Sequence, residues 1–386
     1  MIQTSDLINL ISDLVQINSI NSWLISDGHG EAEIATYIEN WLSPLNIEFY
    51  REFIADRQVN LVARLPGKGG GKSLCIYAHL DTVGCELWKE RAFLPRVEGD
   101  RLYGLGSADD KGHCALALLV LKSIAMQSNE LLNGDLWLAL LADEEGTSNG
   151  AQQFIKKVKP KAAIILEPNA LGNIVVTHQG FGWIDIIVKG KAAHGSAPEL
   201  GIDSIAYMGE VITRLHHLDY QVFAQNPHPF NGKTVFHTSM IKGGTDYATY
   251  PAECILSIEI GTQPGETIND RIQNIETIFH EIRTKFPDFS AEVNVKLARD
   301  PFKSQGCELL WNILSDETNK ILGELPNAVG ENAWCDAALF QQAGIPTLMM
   351  GASGENFHAP DEWVSISELI KLGDILEGTI RRFCNE

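Results

Sequence analysis

Five short stretches of this chain carry residues able to bind a cation or move a proton. They are Tyr77-Ala-His79-Leu-Asp81, Gly104-Leu-Gly-Ser-Ala-Asp109-Asp110, Ala142-Asp143-Glu144-Glu145-Gly146, Leu166-Glu167-Pro168 and His358-Ala-Pro-Asp361-Glu362. Three adjacent acids, Asp143 to Glu145, would repel one another by several kcal/mol in a poorly hydrated setting, so the arrangement asks for positive charge. Imidazole and carboxylate together suit zinc, cobalt or manganese; an all-oxygen set would suit calcium or magnesium. A catalytic zinc needs three protein ligands and an open position. Five ligands with one shared carboxylate therefore make two such sites, with two ions about 3.5–4 Å apart clamping and activating a water. Glu145 can then be a ligand while Glu144 stays unligated over that water. Taken singly, each stretch has an ordinary reading: a solvated loop for the acids, a surface carboxylate for Glu167, a turn residue for His358.

Position in the chain decides between these readings. Leu74-Cys-Ile-Tyr-Ala runs into His79, Leu136–Leu141 into Asp143-Glu-Glu145, Ala163-Ile-Ile-Leu into Glu167, and Thr347-Leu-Met-Met into the glycine-rich loop that reaches His358. Short, fully apolar runs suit strands buried on both faces. Four such strands each delivering a His or carboxylate past the C-terminal end place the set on one edge of an open α/β sheet, where ligand sites form.

The remaining pattern frames that sheet. Helical spacing covers 4–15, 31–42, 114–125 and 309–322, which predicts a mostly parallel sheet flanked by helices. Near Thr177 the texture changes to a strand (182–189), a helix (202–215), two strands (234–241 and 253–260) and a helix (268–286). We therefore expect a catalytic domain over 1–176 and 299–386, interrupted by a smaller α+β domain over 177–298 that serves as lid and dimerisation surface. With 30 basic against 50 acidic residues, the net charge of −20 argues against nucleic acid or an anionic membrane as partner. No apolar run is long enough to span a bilayer. The start lacks the regions of a signal peptide. Seven scattered cysteines with no Cys-x-x-Cys pair indicate neither a disulfide framework nor a thiolate zinc site, and point to the cytoplasm.

The segments Tyr77–Val83, Leu102–Gly112, Ala142–Gly146, Leu166–Pro168 and His358–Glu362, in this order, resemble the dinuclear zinc peptidase and deacylase family of acetylornithine deacetylase, succinyl-diaminopimelate desuccinylase, aminoacylase and glutamate carboxypeptidase. The resemblance implies two zinc ions, with cobalt or manganese as alternatives. His79 and Glu167 would bind one, Glu145 and His358 the other, and Asp109 would bridge them. It implies that the Asp81 carboxylate accepts the second ring N–H of His79, that Glu144 is the general base, and that the Asp109–Asp110 peptide is cis. His194, in Gly190-Lys-Ala-Ala-His194-Gly, would stabilise the oxyanion, often from the partner subunit, so a homodimer through the inserted domain is expected. His113, four residues past Asp109, is read as helix packing or support for the ligands.

One departure stands out. Relatives that grip a substrate α-carboxylate carry an Arg before Pro-Gly-Glu in the lid, and this chain has Gly261 there; the asparagine found three before the lid proline is Ala248. Lys242 or Arg299 are candidates to supply the missing charge. The implied activity is hydrolysis of an N-acyl amino acid such as N-acetylornithine. The alternatives are a metallo-dipeptidase or carboxypeptidase cleaving short peptides, and a catalytically silent metal-binding homologue.

Overall fold

The computed structural model describes residues 2–127 and 132–386. The chain divides into two compact units. The first holds residues 1–176, 304–328 and 335–386; the second holds 177–303 and 329–334. Residues 299–303 and 329–334, assigned by the sequence to the first unit, group with the second.

The first unit is built on the apolar runs. Its central strands, Leu136–Leu141, Leu74–His79, Ala162–Leu166 and Thr347–Met350, lie side by side in that order and run parallel. Almost every residue in them is buried, as strands covered on both faces require. Gln58–Leu65 pairs antiparallel with Leu136–Leu141, and Glu48–Ala55, with its alternating exposure, forms the outer edge. Helices Thr4–Gln16, Lys111–Met126, Glu308–Leu322 and Ile366–Cys384 bury their apolar sides in the same core as the strands. Among the described residues no helix is long and apolar enough to cross a membrane. All seven cysteines are free thiols.

A small sheet completes this unit. Gly354–Glu355 and Trp363–Ser365 form a hairpin, and the latter strand pairs with Arg101–Tyr103. The hairpin loop carries His358, and the pairing sets it beside the glycine-rich turn that ends in Asp109, where Gly104 N donates to Glu362 O at 3.1 Å.

The second unit is a four-stranded antiparallel sheet in the order Phe236–Gly243, Glu253–Thr262, Gly180–Lys189, Ser290–Arg299. Along Gly180–Lys189 buried and half-buried residues alternate. Ile184, Ile186 and Val188 pack with Met208, Val211 and Leu215 of helix Ser204–Leu218 and with Ile275, Phe279 and Ile282 of helix Ile268–Lys285. Asp203 caps the first helix by accepting from Ile205 N and Ala206 N; Thr267 and Asp270 form a capping box on the second. The sequence reading lacked the fourth strand, Ser290–Arg299. It is an outer strand in which Ala291, Val293, Val295 and Leu297 alternate with polar residues, a period-two signal the domain boundary at 298 left unused.

Candidate metal centre

Because the four central strands are parallel, their C-terminal ends share one edge, and the ligand-type residues gather there. His79 closes its own strand; Asp143 to Glu145 follow Leu141; Glu167 follows Leu166. Two groups of donors result: His79, Asp109 and Glu167, and Asp109, Glu145 and His358, each with donor atoms within 4.8 Å of one another. Asp109 belongs to both. Its Oδ1 lies 2.9 Å from His79 Nε2 and its Oδ2 3.4 Å from His358 Nε2. His358 Nε2 is also 3.1 Å from Glu145 Oε1. The Asp109–Asp110 peptide is cis.

Three observations show that these residues fit a pair of cations. Glu167 Oε1 is buried with no hydrogen-bond partner, an arrangement costly for a carboxylate unless a cation faces it. Burial, then the neighbouring carboxylates, push the Glu144 and Glu167 carboxyls well above their usual range, so the cluster lacks positive charge. The imidazoles supply part of it. Hydrogen bonds to Asp109 and Glu145 raise His358 to about 11, and although burial favours the charge-free form, the bonds to His79 and His358 hold Asp109 below the carboxylate range. The mixed nitrogen and oxygen set suits a borderline divalent ion.

The surroundings orient each donor. His79 Nδ1 lies 3.0 Å from the main-chain oxygen of Asp81, which can only accept, so Nδ1 carries a proton and Nε2 is the nitrogen that would be left to bind a cation. The Asp81 carboxylate is 3.5 Å from that nitrogen. It is not the main acceptor expected from the sequence. Instead its two oxygens accept the backbone N–H groups of Glu144 and Glu145, both at 3.1 Å. Asp110, quoted in the motif without a role, accepts His79 N at 3.1 Å and pairs with His113 Nδ1 at 2.6 Å. His113 Nε2 accepts from Ala352 N, so this ring is neutral; burial lowers it to about 4. Glu362 receives Gly106 N, Ala108 N and Asp109 N at 2.9–3.0 Å and fixes the main chain that presents Asp109. Among the three adjacent acids, Asp143 turns away. It adopts φ +67°, and its carboxylate accepts from Asn21, Thr147 and Asn149. Asp143 is thus drawn out of the cluster, while Glu144 and Glu145 stay in it with their carboxyls raised by burial and by the neighbouring carboxylates.

Beneath the edge, Tyr77 OH donates to buried Asp336 at 2.7 Å, a pair the sequence did not signal. In the second unit, His194 is exposed on a loop held by Gly195 N to Ala248 O. Ser196 N donates to His194 Nδ1 at 3.2 Å, which leaves Nε2–H free to donate. Gly261 has no room for a side chain: a Cβ there would lie 2.6 Å from Gln179 Oε1.

The chain is similar to several known proteins. The acetylornithine deacetylase of Proteus mirabilis (strain HI4320) is 28% identical over 386 residues, covering 98% of this chain and 96% of that protein. That of Buchnera aphidicola subsp. Acyrthosiphon pisum (strain APS) is 29% identical over 390 residues, with 98% of each covered. A tripeptidase from Staphylococcus aureus subsp. aureus Mu50 superposes with a TM-score of 0.83 at 22% identity over 100% of both chains. A dinuclear metal-binding peptidase of the M20 family from Bacillus subtilis gives 0.74 at 18% identity over 98% of both. Residues 75–382 match the description of peptidase family M20/M25/M40, a span that contains all five metal-ligand candidates, and the chain belongs to that family.

Proposed function

We propose that the protein removes the acyl group from an N-acyl amino acid, N-acetylornithine or a close analogue, using two zinc ions. The observation that carries this reading is the shared Asp109 between two three-donor groups with Glu144 alongside. His79, Asp109 and Glu167 would hold one ion, and Asp109, Glu145 and His358 the other. Bound there, the ions would supply Lewis acidity, bringing a water towards ionisation near neutral pH and polarising the amide carbonyl. Glu144, its main chain fixed by Asp81, takes the proton of the attacking water on its carboxylate. It then hands that proton to the departing amide nitrogen, whose leaving completes acyl transfer to water. His194 Nε2–H would donate to the oxygen that gains charge. The net charge of −20 favours approach of a basic amino-acid side chain.

A homodimer through the second unit fits the same reading. Phe236–Gly243 ends that sheet, and its Met240 and Ile241 are 69% and 57% exposed, a free edge suited to a second copy. Seven free cysteines fit a reducing cytoplasm.

Chelator-stripped protein, assayed with and without zinc, cobalt or manganese on N-acetylornithine, neutral N-acetyl amino acids, dipeptides and tripeptides, tests the proposal. Metal-restored release of acetate is the expected result. Cleavage of peptides alone would replace the deacylase with the peptidase reading, and metal-loaded protein inert on all of them would overturn both.

A further inference from the structure

Asn21 lies outside the stretch matched to the family, yet it is wholly buried and uses its entire amide. Nδ2 donates to Asp81 Oδ2 at 2.7 Å and to Asp143 Oδ1 at 3.0 Å. Oδ1 accepts the N–H groups of Trp23 and Leu24, both at 2.9 Å, and its own N–H donates to Thr82 O at 2.8 Å. The orientation of the amide is dictated by these partners, since carboxylates only accept and N–H groups only donate. Among the described residues no lysine or arginine pairs with Asp81 or Asp143. One neutral amide therefore bridges two buried carboxylates that no lysine or arginine neutralises, with the His79 ring 3.5 Å from Asp81 as the basic group beside them. Asp81 in turn holds Glu144 N and Glu145 N, the main chain of the base and of one ligand.

We infer that Asn21 is a positioning residue for the hydrolysis. It clasps the 19–24 segment onto the loops after strands Leu74–His79 and Leu136–Leu141, and through Asp81 it sets where Glu144 and Glu145 stand. The sequence around it, Ile20-Asn21-Ser22-Trp23, has no metal-ligand character, which is why the role is invisible without the fold. The inference rests on the proposed hydrolase reading for its effect on turnover, and on the geometry alone for its effect on metal.

The test uses the full chain, stripped and reloaded with cobalt, whose visible absorption reports coordination independently of turnover. In Asn21→Ala, cobalt affinity at one site should fall roughly 10–100-fold with an altered band, as for partners that orient metal ligands. kcat should fall by a similar factor with KM within about twofold. Asn21→Ser, which keeps one donor, should be intermediate and gives the same readouts if the alanine variant does not fold. Asn21→Asp has the same shape but donates only when protonated, so its kcat relative to wild type should recover as pH falls. Cobalt affinity and spectrum unchanged in Asn21→Ala and Asn21→Ser, with only a lower melting temperature, would overturn the inference. Wild-type protein that binds cobalt but hydrolyses no amide would sink the hydrolase reading alone, and the cobalt titration would still decide the role of Asn21.

Discussion

Gly261→Ala has a consequence that can be worked from distances. The new Cβ would stand 2.6 Å from Gln179 Oε1 and 3.2 Å from both N and O of Val235. Gln179 cannot simply swing aside. It is 1% exposed, its Oε1 accepts Val235 N at 2.9 Å, and its Nε2 donates to Lys233 O and Asn332 Oδ1 at 2.8 Å each. Val235 O is itself tied to Gly261 N at 2.7 Å, so the strand cannot back away without losing that bond. Displacing the amide leaves a buried N–H unpaired, about 1–3 kcal/mol. Residual overpacking adds about 1–3 kcal/mol. A total near 4 kcal/mol at about 3 °C per kcal/mol lowers melting of the second unit by roughly 12 °C. Urea titration followed by amide hydrogen exchange in strands Gly180–Lys189 and Glu253–Thr262 reads that unit, since both strands belong to it. Adding Gln179→Ala should open the space, so the double variant should be more stable than the sum of the single costs by at least about 1 kcal/mol. A cost for Gly261→Ala below about 0.5 kcal/mol, or strict additivity with Gln179→Ala, would refute the argument. The same crowding means that Gly261→Arg should not supply a carboxylate grip; KM should stay unimproved while stability falls.

Two further predictions concern the metal centre. Glu144→Gln should keep both metals by elemental analysis and lower kcat about 10²–10⁴-fold, the usual worth of a general base; turnover within tenfold of wild type would remove Glu144 from that role. Metal-free protein should lose stability as pH rises. His358, raised to about 11 from an ordinary 6.5, contributes stability that is full below 6.5 and is lost as pH climbs towards 11. The Glu144 and Glu167 carboxyls, raised by burial, also bind protons more tightly folded than unfolded and act in the same direction. Asp109 has the opposite sign, but its effect is confined below its ordinary value of 3.8. Thermal scans between pH 6 and 9 should show the melting temperature falling more steeply after chelation than with zinc, because the ions replace the protons of the site, while Lys111, lowered by burial to about 7, and Glu362, raised by burial to about 8, titrate in both forms. A metal-free melting temperature that falls no more steeply than the zinc-loaded one would contradict the charge assignment.

The parallel sheet and the donors on its edge were legible because each central strand is an unbroken apolar run that stops at a His or carboxylate. Leu136–Leu141 into Asp143 is the plainest case. What stayed hidden depends on single polar groups meeting across long sequence separations. The Asp81 carboxylate reaches the main chain of Glu144 and Glu145 instead of serving chiefly His79, and Asn21 meets both Asp81 and Asp143, contacts that leave no periodicity. Glu362 stood inside a quoted motif, but its three N–H partners follow from a turn geometry that spacing does not encode. Ser290–Arg299 was legible in principle, since Ala291, Val293, Val295 and Leu297 alternate with polar residues and the first three pack on the core of the second unit.

The strand Thr347–Met350 lies between Ala162–Leu166 and Asn173–His178, two neighbours made long before it. During synthesis those earlier strands wait with open backbone groups while the whole second unit emerges from the ribosome. An unfilled slot of this kind invites a stray strand from another nascent copy. Chains truncated before Thr347 should therefore clump in the cell even when the second unit has already reached its native shape.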